Sequence, residues 1–407
     1  MISKSELLEH AKAFSLNPEV VEKDYILGWI LASIAHNRHI NNSWVFKGGT
    51  CLKKCYFETY RFSEDLDFTV LDSSQIDDIF LSVVLRDISS WVYDRSGIEM
   101  PPDQISIEVF TNPRGKLSSQ CKMGYVGPLQ RRNSIPKIKL DLSADEILVL
   151  EPVTGNIYHT YSDAIIPGME VLCYSYVEVF SEKVRALYER IRPRDLYDVI
   201  HLYRNRELVA DRRLLLSVLE DKCAFKGIET PTFHLLENHP QKSELSAEWT
   251  NMLKHQVAVL PEMEQFWGEL SLLFDWMEGK EAPLALSHVE SEEGSIRWQQ
   301  GRILSISRQT SLLDRIQFGA ANRVCIRLTY SNKVRTVEPY SFRKTKKGDI
   351  LFYGYERETA LVKSYRVDRI QSVDVTTVGY SPRYAVEISS IGATSIPNAR
   401  RRTFHKT

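Results

Sequence analysis

Residues 46–70, FKGGTCLKKCYFETYRFSEDLDFTV, place a double glycine and an Asp-Leu-Asp triplet in one short stretch, which few arrangements accommodate. SWVFKGG reads as a strand that stops at Gly48-Gly49, TCLKKCYF as the helix after it, and LDFTVL as a buried strand. A strand-to-helix turn without Cβ atoms presents backbone N–H groups at the positive end of a helix dipole. A phosphate can approach closely there. Gly48, Gly49 and Thr50 are therefore candidate phosphate contacts. Neither the GxxxxGK[ST] nor the GxGxxG pattern is present, so the turn is neither a P-loop nor a dinucleotide fingerprint.

The acidic triplet narrows the chemistry. On a strand, Asp65 and Asp67 point to one face while Leu66 points to the other. Adjacent carboxylates repel, and a hard divalent cation such as Mg²⁺ (or Mn²⁺) between them relieves the repulsion. A third ligand comes from KIKLDLS, where Ile138, Leu140 and Leu142 alternate with Lys139, Asp141 and Ser143. Asp141 sits mid-strand on a polar face, a costly place for an unpartnered charge. Glu108 in ISIEVF is the rival; Asp141 is preferred because Lys139 and Ser143 enrich its face. Arg61 and Ser63, just before the acid pair, are candidate phosphate contacts. Further on, Lys183 shares a helix face with Leu187 and can be aimed inward to clamp a triphosphate. Asp195 and Asp198 lie one turn apart after RPRD; spacing alone leaves them as helix-start acids or as site residues.

Strand–GG[ST]–helix, D-x-D and a later strand carboxylate resemble the pattern of the DNA polymerase beta-like nucleotidyltransferase superfamily. FKGGTCLKKCY with RFSEDLDF is similar to the AbiEii/AbiGii toxin family within it. VFSEKVRALYERIRPRDLYDVIHL resembles that family's E-K-[LV]-x-A-L and R-D-x-x-D segments, and VEKDYILGWIL its N-terminal helix, over roughly residues 15–205. The resemblance implies a Mg²⁺-dependent enzyme that transfers NMP from an NTP to an RNA, such as a tRNA 3′ end, or to a protein. It also implies a toxin of a toxin–antitoxin or phage-defence system with a cognate antitoxin. Lys183, Asp198 and Asp195 become site residues by the same carry-over. Two other readings stand beside it. One is phosphotransfer by the same site; the other is a non-catalytic, nucleotide-sensing regulator that binds nucleic acid.

The net charge of −1 conceals a division, since residues 300–407 carry 20 basic and 8 acidic side chains. A basic C-terminal part suits a polyanionic partner such as nucleic acid. ANRVCIRLTYS through YRVDRIQSVDV resembles a WYL domain, a small SH3-like β module. Tyr340, Arg343, Tyr353, Arg366 and Arg369 combine rings with guanidinium groups, a pairing suited to stacking bases and holding phosphates. The tail NARRRTFHKT reads as a flexible basic arm.

The expected fold is α+β: a polymerase beta-like core with N-terminal helices (1–150) and a helical domain completing the site (151–282). A linker (283–297) and the basic β domain (298–407) follow. No apolar run reaches the roughly 18 residues of a membrane span, and a cytoplasmic protein is expected. Six scattered cysteines match neither a zinc-knuckle spacing nor a disulfide framework, and His36 and His39 read as surface residues.

Overall fold

The computed structural model describes residues 1–112, 114–165, 168–280, 286–296, 308–391 and 400–402. Helices α1 (Lys4–Phe14) and α2 (Pro18–His36) open the chain. Ser15 in the left-handed region ends the first, and Asn17 caps the second with Pro18 behind it. α2 is buried over most of its length and packs against the first sheet. Strand β1 (Trp44–Lys47) runs into α3 (Gly48–Cys51), which continues as a π turn over Leu52–Tyr56. Then come β2 (Asp65–Val70), α4 (Asp78–Ser96), β3 (Ile105–Thr111), β4 (Leu117–Gly124), β5 (Lys137–Ser143), β6 (Val153–Asn156) and β7 (Glu170–Cys173).

These seven strands form one sheet in the order β3-β4-β5-β2-β1-β7-β6. β2–β5 and β1–β7 are parallel and the other pairs antiparallel, so β2 lies at the centre beside both β1 and β5. Strand β4 does not announce itself in sequence, because the serines and glutamine of LSSQCKMG blur the apolar alternation. The start of α4 is set by two successive caps. Asp72 caps a short 3₁₀ turn, and Asp77 caps the helix by accepting from the Ile79 and Phe80 N–H groups.

A helical layer follows: α5 (Tyr176–Arg190), α6 (Pro193–Arg204), α7 (Arg212–Lys226), α8 (Phe233–Glu237), α9 (Lys242–Leu253) and α10 (Met263–Glu278). Its apolar side chains join those of the sheet in one core. Beyond it lie β8 (Gly294–Ser295), α11 (Arg308–Asn322), β9 (Val324–Tyr330), β10 (Lys333–Lys344), β11 (Ile350–Glu356), β12 (Leu361–Arg366) and β13 (Ile370–Gly379). They build a second, antiparallel sheet, β12-β11-β10-β9-β13, with β8 beside β10. α11 covers this sheet and closes a separate core around Leu313, Ile316, Phe342 and Phe352.

The two bodies are stitched together. Tyr197 donates to Asn322 Oδ1 at 2.8 Å, and the Glu58 N–H donates to the Ser390 carbonyl at 2.8 Å. Phe57 pairs with Ile391, and Leu150 with Arg401. The expectation of a free basic arm is corrected at Arg401, whose guanidinium meets Asp221 at 3.0 Å. The rest of NARRRTFHKT outside 400–402 lies outside the described residues. No helix among the described residues is long and apolar enough to cross a membrane.

Candidate active site

Strand register builds the site. Antiparallel pairing sets Lys47 opposite Asp67, and parallel pairing sets Asp67 opposite Asp141 and Asp65 opposite Lys139. Asp141 faces Gln120 on β4, which in turn faces Glu108 on β3. At about 4.8 Å per strand, Asp141 is the immediate neighbour of Asp67, whereas Glu108 stands three strands away. The structure thus brings Asp65, Asp67 and Asp141 onto one patch and leaves Glu108 out.

The three carboxylates do not close on one point: their oxygens do not all fall within 4.8 Å of one another. Asp141 turns instead to Lys139 Nζ at 2.7 Å and to Gln120 Nε2 at 3.3 Å. Burial pushes the Asp67 carboxyl up to about 6; Lys47 opposes the shift and Asp141 adds to it. Asp65 is raised too, by burial first, with Lys139 opposing. Carboxylates held this uneasily are poised to take up positive charge.

Gly48 has φ +80°, and a Cβ added at Gly49 would stand 2.4 Å from Arg61 Nη2. Each glycine therefore makes room for a side chain of the protein itself. Thr50 is buried, and its hydroxyl donates to the backbone carbonyl of Asp65. It fixes the turn to β2, which corrects the expectation that the hydroxyl meets phosphate. Ser63 is half-buried in the loop before β2.

Arg61 is likewise turned inward. Its Nε and Nη2 donate to the two Asp198 oxygens at 2.7 and 2.8 Å, and Nη1 donates to Gln256 Oε1 at 3.0 Å. That fork is the geometry guanidinium and carboxylate prefer. Tyr60 also donates to Asp198, and Lys183 Nζ reaches Asp198 at 2.8 Å and Asp195 at 3.3 Å. Arg190 completes the set with a fork onto Asp195 at 2.6 and 2.8 Å. Burial alone would raise the Asp198 carboxyl, but Arg61 and Lys183 hold it well below the usual carboxylate range. Asp198 and Asp195 thus act as anchors that aim Arg61, Lys183 and Arg190, and Arg61 is not a free phosphate contact.

A cleft of about 250 Å³ opens between the Gly48 turn, Asp67 and the last turns of α5. Lys47, Lys183, Arg185, Arg190 and Lys226 line it, together with Glu146, Glu182 and Glu189; Arg185 pairs with Glu189 and Lys226 with Glu146. Lys47 Nζ lies only loosely against Glu146 and Glu182, at 3.8 and 3.9 Å. Such an array of cations beside the acidic patch can hold an oligophosphate. Sequence reasoning missed Lys47, Arg185, Arg190 and Lys226. The signal for Arg190 was available, since it follows Lys183 by two helical turns on the same face. Arg194, next to Asp195, was missed as well; its Nε is buried without a hydrogen-bond partner.

The C-terminal candidates are placed differently from expectation. Tyr340 is wholly buried and donates to Glu338 Oε2 at 2.8 Å, so its ring cannot stack on a base. Arg343 is half-buried and paired with Glu387, and Tyr353 donates to Glu293 at 2.8 Å. Arg366 pairs with Asp349 at 3.0 Å and Asp368 at 2.9 Å. Among Tyr340, Arg343, Arg366 and Arg369, Arg369 alone is an exposed residue.

A family model described as "Nucleotidyl transferase AbiEii toxin, Type IV TA system" matches residues 29–276. The solved structure of MenT4, a nucleotidyltransferase toxin from Mycobacterium tuberculosis H37Rv, is 16% identical with a TM-score of 0.46. The match covers 69% of this chain and 91% of that one. JHP933 from Helicobacter pylori is 18% identical with a TM-score of 0.41, covering 65% and 94%. No curated protein sequence matches the chain.

Proposed function

Because the chain belongs to the AbiEii family of nucleotidyltransferase toxins, we propose that it transfers NMP from an NTP to an RNA, such as a tRNA 3′ end. The supporting observation is the juxtaposition of Asp67 with a cation-lined cleft at a glycine turn. A divalent cation suits the acidic face, because Asp65 and Asp67 are both reluctant carboxylates and Asp141 lies next in register. Asp65, Asp67 and Asp141 would hold it, with Mg²⁺ or Mn²⁺ as the ion. Bound there, it would lower the pKa of the acceptor hydroxyl and offset charge on the departing pyrophosphate.

The chain's own groups do the rest in this reading. Lys47, Lys183 and Arg190 bind the triphosphate and keep the α-phosphate in line for attack. Gly48 and Gly49 let the backbone approach it, and Asp198 and Asp195 keep the cations aimed. β6 and β7 belong to the core sheet, which moves the expected boundary at 150 to the start of α5. The core (1–173), the helical layer (176–278) and the basic module (298–407) would then bind nucleotide, complete the site and hold RNA. In that division the second sheet is a WYL-like nucleic-acid-binding module with Arg369 exposed on the turn between β12 and β13. We further read the protein as a phage-defence toxin whose cognate antitoxin limits its action in the cytoplasm.

Incubating the full-length protein with each α-labelled NTP, Mg²⁺ and total tRNA tests the reading. Labelled tRNA whose mass rises by one nucleotide is expected. A gain of one phosphate instead would replace nucleotidyl transfer by phosphotransfer, and labelled protein with unlabelled RNA would move the acceptor.

A further inference from the structure

Three thiols meet behind the glycine turn. Cys51 closes α3, Cys55 lies one turn later, and Cys173 ends β7, paired with Phe46. Their Sγ atoms all lie within 4.8 Å of one another, and none of the three residues is more than 2% exposed. All are free thiols. Gly155 on β6 stands against them: a Cβ there would come within 2.8 Å of Cys173 Sγ and 3.3 Å of Cys55 Sγ. The strand is bare where the sulfurs converge. The three thiols are unequal: hydrogen bonds from Cys51 and Cys55 hold the Cys173 thiol below its ordinary value, whereas burial holds Cys51 above it and the hydrogen bond to Cys173 holds Cys55 above it.

We propose that Cys51, Cys55 and Cys173 form a three-sulfur binding site for a soft monovalent metal ion, cuprous copper being the biological example. Thiolate sulfur selects soft ions. Structural zinc closes a tetrahedron with four ligands, whereas no fourth His, Cys, Asp or Glu joins this group among the described residues. The Tyr56 hydroxyl beside it is engaged by the Tyr174 carbonyl at 2.5 Å. The ammonium of Lys54 is paired with Asp24 at 2.8 Å, so it does not offset a cluster of three thiolates. A monovalent ion needs fewer ionised sulfurs than a divalent one, which suits an enclosed place. On binding, each sulfur that becomes a thiolate releases its proton to solvent, and no electron changes hands. The ion would fasten the helix that carries Gly48, Gly49 and Thr50 to β7.

The test uses the reduced, full-length protein under anaerobic conditions, with Cu(I) supplied as its coloured bicinchoninate complex. Copper is offered both to the folded protein and during refolding from urea, so that burial does not block entry. One copper per chain should leave the chelator, the melting temperature should rise, and X-ray absorption should find three sulfur neighbours. Cys55→Ala and Cys173→Ala, with folding checked by circular dichroism, should each weaken copper uptake at least tenfold. Cys121→Ala, Cys223→Ala and Cys325→Ala should leave it unchanged. No copper withdrawn in either mode, nitrogen neighbours in the wild type, or equal uptake by folded Cys173→Ala would each overturn the site.

Discussion

Gly48 and Asp67 compete for one space: a Cβ on Gly48 would stand 2.3 Å from Asp67 Oδ2. The glycine is thus required twice, by its φ of +80° and by the carboxylate packed over it. Gly48→Ala should cost about 1–2 kcal/mol for the left-handed backbone and push Asp67 out of place. A shift of that size can lower transfer about a hundredfold. Parallel urea melts and tRNA-labelling rates would separate the two effects.

Asp67→Asn should reduce nucleotidyl transfer below detection while leaving a folded protein. It should also alter acid behaviour. The folded carboxyl titrates near 6, above its ordinary 3.8, so in metal-free protein its bound proton favours the folded state. That stabilisation is full below about pH 4 and is lost as pH rises through about 6. Melting curves in EDTA across pH 4 to 7 should show a shallower slope in Asp67→Asn than in wild type, the remainder including the raised carboxyl of Asp65. Transfer at limiting metal should follow the opposite course, rising as Asp67 ionises.

Asp198 behaves in the reverse sense. It is held well below the usual carboxylate range by Arg61 and Lys183, so its contribution is present above about pH 4 and is lost as the solution is acidified. Asp198→Ala leaves Arg61 and Lys183 without their shared anion and should cost about 3–5 kcal/mol. Denaturant midpoints of Asp198→Ala, Lys183→Met and the double variant would measure the coupling. A double variant less destabilised than the sum of the singles is expected.

On the second sheet, exposure decides the outcome. Arg369→Ala should weaken RNA binding by the full-length protein and reduce the salt slope by about one. Tyr340→Phe should leave RNA binding unchanged but destabilise the fold by about 1–3 kcal/mol, since buried Glu338 loses a donor. Gel shifts at several salt concentrations check both.

Much of this site was legible because it depends on short-range periodicities. Two-residue spacing placed Asp65 and Asp67 on one face, and alternation in KIKLDLS gave Asp141 its polar side. What sequence could not supply was the order of strands. The neighbours Lys139 and Ser143 favoured Asp141 over Glu108, but only the β2–β5 pairing sets Asp141 beside Asp67 and leaves Glu108 strands away. Partners across the chain were equally hidden. Nothing local reveals that Arg61 faces Asp198, that Thr50 is spent on a carbonyl, or that Cys173 joins Cys51 and Cys55. On the second sheet, aromatic and basic residues in alternation suggested a nucleic-acid face. The same composition serves internal pairs, with Tyr340 buried on Glu338 and Arg343 half-buried on Glu387.

The pairing of Phe57 with Ile391 and of Glu58 with Ser390 lies two residues from Tyr60, which grips Asp198. Excising the last hundred residues would therefore strip a covering from the loop that leads into the acid pair. A shortened enzyme that fails would not reveal whether it had lost its grip on RNA or the scaffolding of its own chemistry. Point changes on the outer surface of the intact chain keep those two causes apart.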